Sequence, residues 1–246
     1  MMARVIGRSL RIYHAPERRP VLDALYARFL RPGDLAFDVG THVGDRSASF
    51  CRLGARVVAV EPQPALLRAL RLVLRGQDVA FVPALVGAAP GQAVLRLNTA
   101  NPTVATASED FIAAAASAPG WEGQSWDGAL TLPVTTLDAL VAEHGMPAFI
   151  KIDVEGFEAA ALAGLSHAVP ALSFEFTTIQ LDVALAALAR GEALGYRAFN
   201  ACLGESMAFA HPGAIDAAAM RAWLLALPVE ANSGDVYAAM EPASLG

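Results

Sequence analysis

Three acidic residues lie at the ends of strand-like hydrophobic runs, and they are the side chains best suited to do chemistry. These are Asp38, Glu61 and Asp153. Strand-like runs that alternate with helical segments predict a parallel sheet, whose strands end at a common carboxyl edge. Open sheets of this kind bind their ligands at that edge. We therefore expect the three carboxylates to lie close to a ligand.

The first of these runs continues into a glycine turn with the pattern Asp38-x-Gly40-x-x-x-Gly44. A strand that passes through such a turn into a helix directs backbone N–H groups and the positive end of the helix dipole towards a ligand. The spacing differs from the G-x-G-x-x-G pattern of dinucleotide sites. Because a carboxylate repels phosphate, Asp38 favours a ligand that carries an ammonium group.

Glu61 ends the second run, Arg56 to Val60. A carboxylate in this position accepts hydrogen bonds from both hydroxyls of a ribose. The alternative is a carboxylate that only stabilises the start of the following helix. With Asp38 and Gly40 upstream, we favour the ribose role.

Lys151 is the single lysine among 18 basic residues. In a chain so rich in arginine, its presence indicates a position that needs a compact ammonium group, although chance remains the alternative. Strand alternation places Lys151 and Asp153 on one face of the sheet, where we expect them to pair.

The composition narrows the class of protein. The chain has 246 residues, 55% of them hydrophobic, and a net charge of −6, which argues against nucleic acid as a partner. No apolar run has the length of a membrane span, and Cys51 and Cys202 are too few for a disulfide framework, so we expect a cytoplasmic protein. No Cys/His cluster has zinc spacing, and we assign no metal ligand. The hydrophobic bias is compatible with a homodimer and indicates nothing stronger.

Alternating strand and helix patterns predict one α/β domain over residues 34–246, preceded by an N-terminal arm or strand and a helix in residues 1–33. Two stretches depart from the alternation, an insert at 98–130 and a second variable region at 202–234. The insert contains Trp121 and Trp126, which form an apolar wall for a substrate or anchor the insert to the domain. After Asp153 we expect a helix from Glu155 to Leu165.

Four segments together resemble the FkbM-type methyltransferases, which depend on S-adenosylmethionine (SAM). They are Phe37-Asp38-Val39-Gly40 with Gly44, Val60-Glu61-Pro62, Pro133-Val134-Thr135-Thr136-Leu137-Asp138, and Ile150-Lys151-Ile152-Asp153-Val154-Glu155-Gly156-Phe157-Glu158. The resemblance covers roughly residues 33–200. Thr41-His42 departs from it, because the family usually has Ala-Asn there. The implied fold is the doubly wound, Rossmann-like, seven-stranded sheet of class I SAM-dependent methyltransferases, with the insert as a lid.

The resemblance also implies an activity and a cofactor site. The activity is transfer of the SAM methyl group to a hydroxyl, commonly of a sugar or a secondary metabolite, so the partner is a small-molecule or glycan acceptor. The residues expected to bind SAM are Asp38, Gly40, His42, Gly44, Glu61, Pro62, Ala84, Leu85 and Asp153.

An alcohol reacts well only when a base takes its proton. Asp153 is our first candidate for the base, with Glu155 and His211 as competitors and Lys151 orienting the carboxylates. Asp153 has two alternative roles, a hydrogen bond to the cofactor and ligation of Mg²⁺. Glu155 is alternatively a helix-terminal carboxylate, and His211 a loop residue. Glu175, at the end of a later strand, is a candidate substrate ligand.

Two other functions compete with methyl transfer. A nicotinamide-dependent oxidoreductase has a similar sheet, but the missing G-x-G-x-x-G pattern argues against it. A catalytically silent SAM-binding module is the second alternative.

Overall fold

The computed structural model describes residues 2–246. Its strands are β1 Leu35–Val39, β2 Arg56–Val60, β3 Val79–Val82, β4 Leu85–Val86, β5 Gly91–Leu97, β6 Gly128–Thr135, β7 Phe149–Ile152, β8 Ala171–Thr177, β9 Ala198–Leu203 and β10 Ser233–Ala239. Its α-helices are α1 Met2–Tyr13, α2 Arg18–Tyr26, α3 Asp45–Arg52, α4 Pro64–Val73, α5 Glu109–Ala115, α6 Leu137–His144, α7 Glu158–Ala163, α8 Leu181–Leu194 and α9 Ala217–Ala226. None of these helices combines the length and the apolar character that crossing a bilayer requires.

Seven strands form the main sheet in the order β3-β2-β1-β7-β8-β10-β9. Neighbouring strands are parallel except β10, which is antiparallel to both β8 and β9. The central strands β1 and β7 are buried along their whole length, because helices cover both faces of the sheet. The expected doubly wound, seven-stranded fold is therefore confirmed.

A second sheet of three strands, β4-β6-β5, carries the predicted insert. Strand β6 begins at Gly128, so the irregular part of the insert ends just before it. Helix α5 lies within this part, and its Phe111 is fully buried between Trp121 and Trp126, whose rings stand nearly perpendicular to it. The insert thus has a small aromatic core of its own.

Two local expectations are wrong. The N-terminal segment forms helix α1 rather than a strand, and its Ile6 packs on Val43 and Leu66 of the domain. Helix α7 begins at Glu158 instead of Glu155. Glu155 and Gly156 have φ values of 54° and 88°, which no right-handed helix contains.

The ends of β1 and β7 pack directly against each other at Gly40. This residue has a φ of 83°, and a Cβ atom there would lie 1.6 Å from the carbonyl oxygen of Asp153. Glycine is therefore required for two reasons, its left-handed backbone and the close approach of a neighbouring backbone. The close contact holds the two expected ligand-binding strand ends together.

We expect Gly40→Ala to destabilise the protein without ligand more than Gly76→Ala does. Gly76 has a similar φ of 80°, but a Cβ atom added there would have no neighbour within 4 Å, so its substitution costs only the backbone strain of about 1 kcal/mol. At Gly40 the displacement of the Asp153 backbone adds about 2 kcal/mol or more. Urea unfolding of both variants measures the difference, and equal losses would contradict the packing argument.

Candidate active site

A cavity of about 400 Å³ lies at the carboxyl edge of the main sheet. This volume is within the range of small-molecule sites. Of the residues expected to bind the cofactor, the cavity is lined by Asp38, Gly40, His42, Glu61, Pro62, Ala84, Leu85 and Asp153. Gly44 does not line it. That residue precedes α3 with a φ of 82°, and a Cβ there would lie 2.6 Å from Leu70 Cδ2, so Gly44 allows helix packing.

Asp38 is almost completely buried where β1 meets the glycine turn. The Ser47 hydroxyl of α3 donates a 2.6 Å hydrogen bond to its Oδ2 atom. Burial raises the pKa of Asp38 to about 6 in spite of this hydrogen bond. The carboxyl group therefore connects the turn to the helix and lines the cavity.

Glu61 accepts hydrogen bonds from two backbone N–H groups, that of His42 at 2.9 Å and that of Gln63 at 2.8 Å. Each bond uses a different carboxyl oxygen, so each oxygen retains a lone pair for a ligand hydroxyl. Burial raises the pKa of Glu61 to about 8. The glutamate thus ties the glycine turn to the start of α4, and a ribose role is compatible with this contact.

His42 lies within the glycine turn in a left-handed conformation, with a φ of 51°. Its ring meets the Tyr13 ring edge-on at a centroid distance of 5.3 Å. Burial lowers the pKa of His42 to about 4, so the ring is neutral near pH 7. Its buried Nε2 atom has no hydrogen-bond partner among residues 2–246.

Lys151 is only 2% exposed and lies between two carboxylates. Its Nζ atom donates to Asp153 Oδ2 at 2.8 Å and to Asp235 Oδ1 at 3.3 Å. The predicted pairing of Lys151 with Asp153 is thus present in the structure. Asp235 is an addition that the sequence did not indicate, because β10 is far from β7 along the chain.

Three carboxyl groups meet beside this ion pair. Oxygen atoms of Asp153, Glu155 and Glu175 lie within 4.8 Å of one another. Burial alone would raise the pKa of Asp153, but the Lys151 ammonium group holds it below its usual range. Burial, and then the negative charge of Asp153, raise the pKa values of Glu155 and Glu175 well above the usual range. Near pH 7 the cluster therefore contains one readily ionised member.

Carboxylate oxygens are the ligands that Mg²⁺ prefers, so the spacing of this cluster is also compatible with a divalent cation. Lys151 already supplies a positive charge to Asp153. This ion pair reduces the negative charge that would attract a cation. Glu158 accepts hydrogen bonds from the backbone N–H groups of Val154 and Gly156, and these bonds stabilise the turn that contains Glu155.

The candidate substrate residues divide into two groups. Trp121 and Glu175 line the cavity, whereas Trp126 and His211 do not. The indole N–H of Trp126 donates to the Val104 carbonyl at 2.8 Å, which joins two parts of the insert. The His211 ring packs edge-on against Trp223 at 5.5 Å, away from the carboxyl cluster.

Among the side chains that line the cavity, the sequence did not indicate Tyr13, Arg46 or Glu205. They come from α1, from α3 and from the loop after β9. Arg46 donates to Glu205 at 2.7 Å, so the loop is attached to α3 across the cavity. No local sequence pattern links these positions, which are brought together by the tertiary fold.

The raised pKa of Glu61 predicts a pH dependence of stability. The folded state holds its proton up to a pKa of about 8, above the ordinary value of 4.5, so this stabilising contribution is full below 4.5 and is lost as the pH rises through about 8. We expect Glu61→Gln to flatten the decline in unfolding free energy between about pH 5 and pH 8, by up to about 1.4 kcal/mol per pH unit.

Urea unfolding over that pH range measures the slope. The exposed Glu230→Gln is the matched control and should leave the slope unchanged. An unchanged slope in Glu61→Gln would contradict a protonated, buried Glu61.

A curated relative and several solved structures are similar to this chain. Hexuronic acid methyltransferase AglP of Haloferax volcanii is 28% identical over 153 residues, which cover 61% of this chain and 57% of AglP. The match thus spans little more than half the length of that relative.

The similar solved structures include precorrin-6y C5,15-methyltransferase from Geobacter metallireducens GS-15. It has 13% identity and a TM-score of 0.44, with 89% of this chain and 87% of that chain covered. Magnesium protoporphyrin IX methyltransferase from Synechocystis PCC 6803 with bound SAH has 14% identity and a TM-score of 0.45, with 95% and 86% covered. At these identities and TM-scores the two structures indicate nothing about the substrate.

The model of the methyltransferase FkbM domain matches residues 38–225. This range is more than half of the 246 residues and includes the glycine turn, Glu61 and the carboxyl cluster. The chain therefore belongs to the FkbM family of SAM-dependent methyltransferases.

Proposed function

We propose that the protein is an O-methyltransferase that moves the methyl group of SAM to a hydroxyl of a sugar or a secondary metabolite. The observation that carries this proposal is the cluster of Asp153, Glu155 and Glu175 on the wall of the cavity that the glycine turn and Glu61 also line. A hydroxyl acceptor needs a base next to the bound cofactor. The name of the relative AglP, a hexuronic acid methyltransferase, supports a sugar-like acceptor.

The cavity fits SAM better than a dinucleotide. Its wall carries the carboxyl groups of Asp38 and Asp153, which favour a cationic ligand and repel a pyrophosphate when they are ionised. When bound, SAM supplies a methyl group already activated on a positively charged sulfur. Glu61 would accept hydrogen bonds from the ribose hydroxyls, and the Gly40 turn with Asp38 would hold the methionine part. The unpartnered Nε2 of His42 would serve the same ligand.

Proton removal is assigned to Asp153. A general base must be ionised before it accepts a proton, and the Lys151 ammonium group keeps Asp153 ionised by lowering its pKa. Glu155 and Glu175, whose pKa values are raised, hold their own protons near pH 7 and are less ready to accept another. Lys151 positions the Asp153 carboxylate. The walls of the cavity align the acceptor oxygen with the methyl group and exclude water.

We expect Glu61→Gln to weaken SAM binding about tenfold at pH 9, where Glu61 is ionised, because an amide accepts weaker hydrogen bonds than a carboxylate, a difference of about 1–2 kcal/mol. Since burial raises the pKa of Glu61 to about 8, the loss should be larger at pH 9 than at pH 6. Calorimetric titration with SAM at both pH values measures this, with Glu230→Gln as control. Equal SAM affinities of wild type and Glu61→Gln at pH 9 would indicate that Glu61 only accepts backbone hydrogen bonds and does not bind the ribose.

We expect Asp153→Asn to reduce turnover about 10²–10⁴-fold while SAM affinity changes little, because the amide keeps the shape but cannot take a proton. Methyl transfer from isotope-labelled SAM and calorimetry on the same samples separate the two effects. A parallel loss of affinity and turnover would make Asp153 a cofactor ligand.

Addition of EDTA to the wild type is the control for metal chemistry. Activity that is lost with EDTA and restored by Mg²⁺ would assign Asp153 to a cation. SAM binding without any methyl transfer to hydroxyl acceptors would favour the catalytically silent module.

A further inference from the structure

Glu205 occupies an unusual position at the mouth of the cavity. It lies in the loop after β9, and its side chain is 44% exposed. One oxygen, Oε2, accepts hydrogen bonds from Arg18 at 2.6 Å and from Arg46 at 2.7 Å. The Glu205 carboxylate thus binds two guanidinium groups at once, in the position where the carboxylate of a bound ligand would otherwise bind.

Neither Arg18 nor Arg46 is free to form an ion pair with a ligand. Arg46 is only 8% exposed and also donates to Asp45 at 2.5 Å, and Arg18 lies 3.7 Å from the same aspartate. Two positive and two negative groups therefore form a neutral cluster. The Nε atoms of both arginines are buried without a hydrogen-bond partner among residues 2–246, so only Glu205 and Asp45 hold these guanidinium groups in place by ion pairing.

The other basic side chains that line the cavity, Lys151 and His42, are also not free to pair with a substrate. Lys151 is held by Asp153 and Asp235, and burial keeps His42 neutral by lowering its pKa to about 4. Along the described residues 2–246, no basic side chain that lines the cavity is left to pair with an acidic substrate. The carboxylate of such a substrate would also face the ionised Asp153, which repels it.

We propose that Glu205 determines the charge of the acceptor: by neutralising Arg18 and Arg46, it excludes acceptors that carry a carboxylate and selects an uncharged hydroxyl compound. This inference rests on the proposed function. The acceptor would therefore differ in charge from the hexuronic acid in the name of the relative AglP.

The test compares two sugars that differ only at carbon 6, methyl β-D-glucopyranoside and methyl β-D-glucuronide. Each is titrated by ligand-observed NMR into the S-adenosylhomocysteine complexes of wild type and Glu205→Gln. Glu205→Gln keeps the size of the side chain but leaves Asp45 as the only acid beside the two arginines. Glu230→Gln, an exposed acid elsewhere, is the matched control for net charge.

We expect the wild type to bind the glucuronide at least about tenfold more weakly than the glucoside, and Glu205→Gln to tighten glucuronide binding by about tenfold or more, since a freed arginine pair binds a carboxylate with charge-assisted hydrogen bonds. Glucoside binding should change less than about threefold, because no charge is involved. Glu230→Gln should behave as the wild type.

Wild-type protein that binds the glucuronide as tightly as the glucoside would overturn the proposal and indicate that a substrate carboxylate displaces Glu205. Glucuronide binding to neither protein would overturn it as well. Calorimetry with SAM on the same preparations keeps this failure distinct from failure of the proposed function. Intact SAM binding with the wrong order of sugars rejects only the role of Glu205.

Discussion

The burial of Lys151 is the constraint on which the rest of the site depends. A buried ammonium group is tolerated only when carboxylates neutralise it, and the fold provides two, one directly after β7 and one on β10. This requirement joins β7 to β10 across β8 and lowers the pKa of Asp153. The same interaction therefore stabilises the centre of the sheet and prepares an ionised carboxylate at its edge.

Three other buried carboxyl groups in and around the cavity, Asp38, Glu61 and Glu158, have no ion-pair partner among residues 2–246. Burial raises the pKa values of Asp38 to about 6, of Glu61 to about 8 and of Glu158 to about 7. Groups that resist ionisation in this way reduce the stability of the ligand-free protein as the pH rises. A cationic cofactor relieves that cost when it binds, so the acidity that weakens the empty fold favours occupancy of the cavity.

The parts of the site that follow from local sequence were predictable. The glycine turn and Glu61 each follow a strand-like run, and Asp153 comes two residues after Lys151, so the sequence indicates them directly. Asp235 and Glu205 carry no such signal, because an antiparallel strand and a loop bring them to the cavity from distant parts of the chain. The start of α7 was predicted too early. The local pattern favours a helix at Glu155, but hydrogen bonds from the backbone to Glu158 stabilise a turn there instead.

The family match covers residues 38–225, and this range contains the residues expected to bind the cofactor. The turn, Glu61 and the carboxyl cluster lie inside it, whereas Tyr13, Arg18 and Asp235 lie outside and still reach the cavity or its charged neighbours. Residues that hold a shared cofactor need a constant geometry, but residues that meet an acceptor must suit one substrate. The flanks of the matched region add Tyr13 to the wall of the cavity and Asp235 to the ion pair of Lys151, and the ion pair of Arg18 with Glu205 joins the N-terminal flank to the loop after β9.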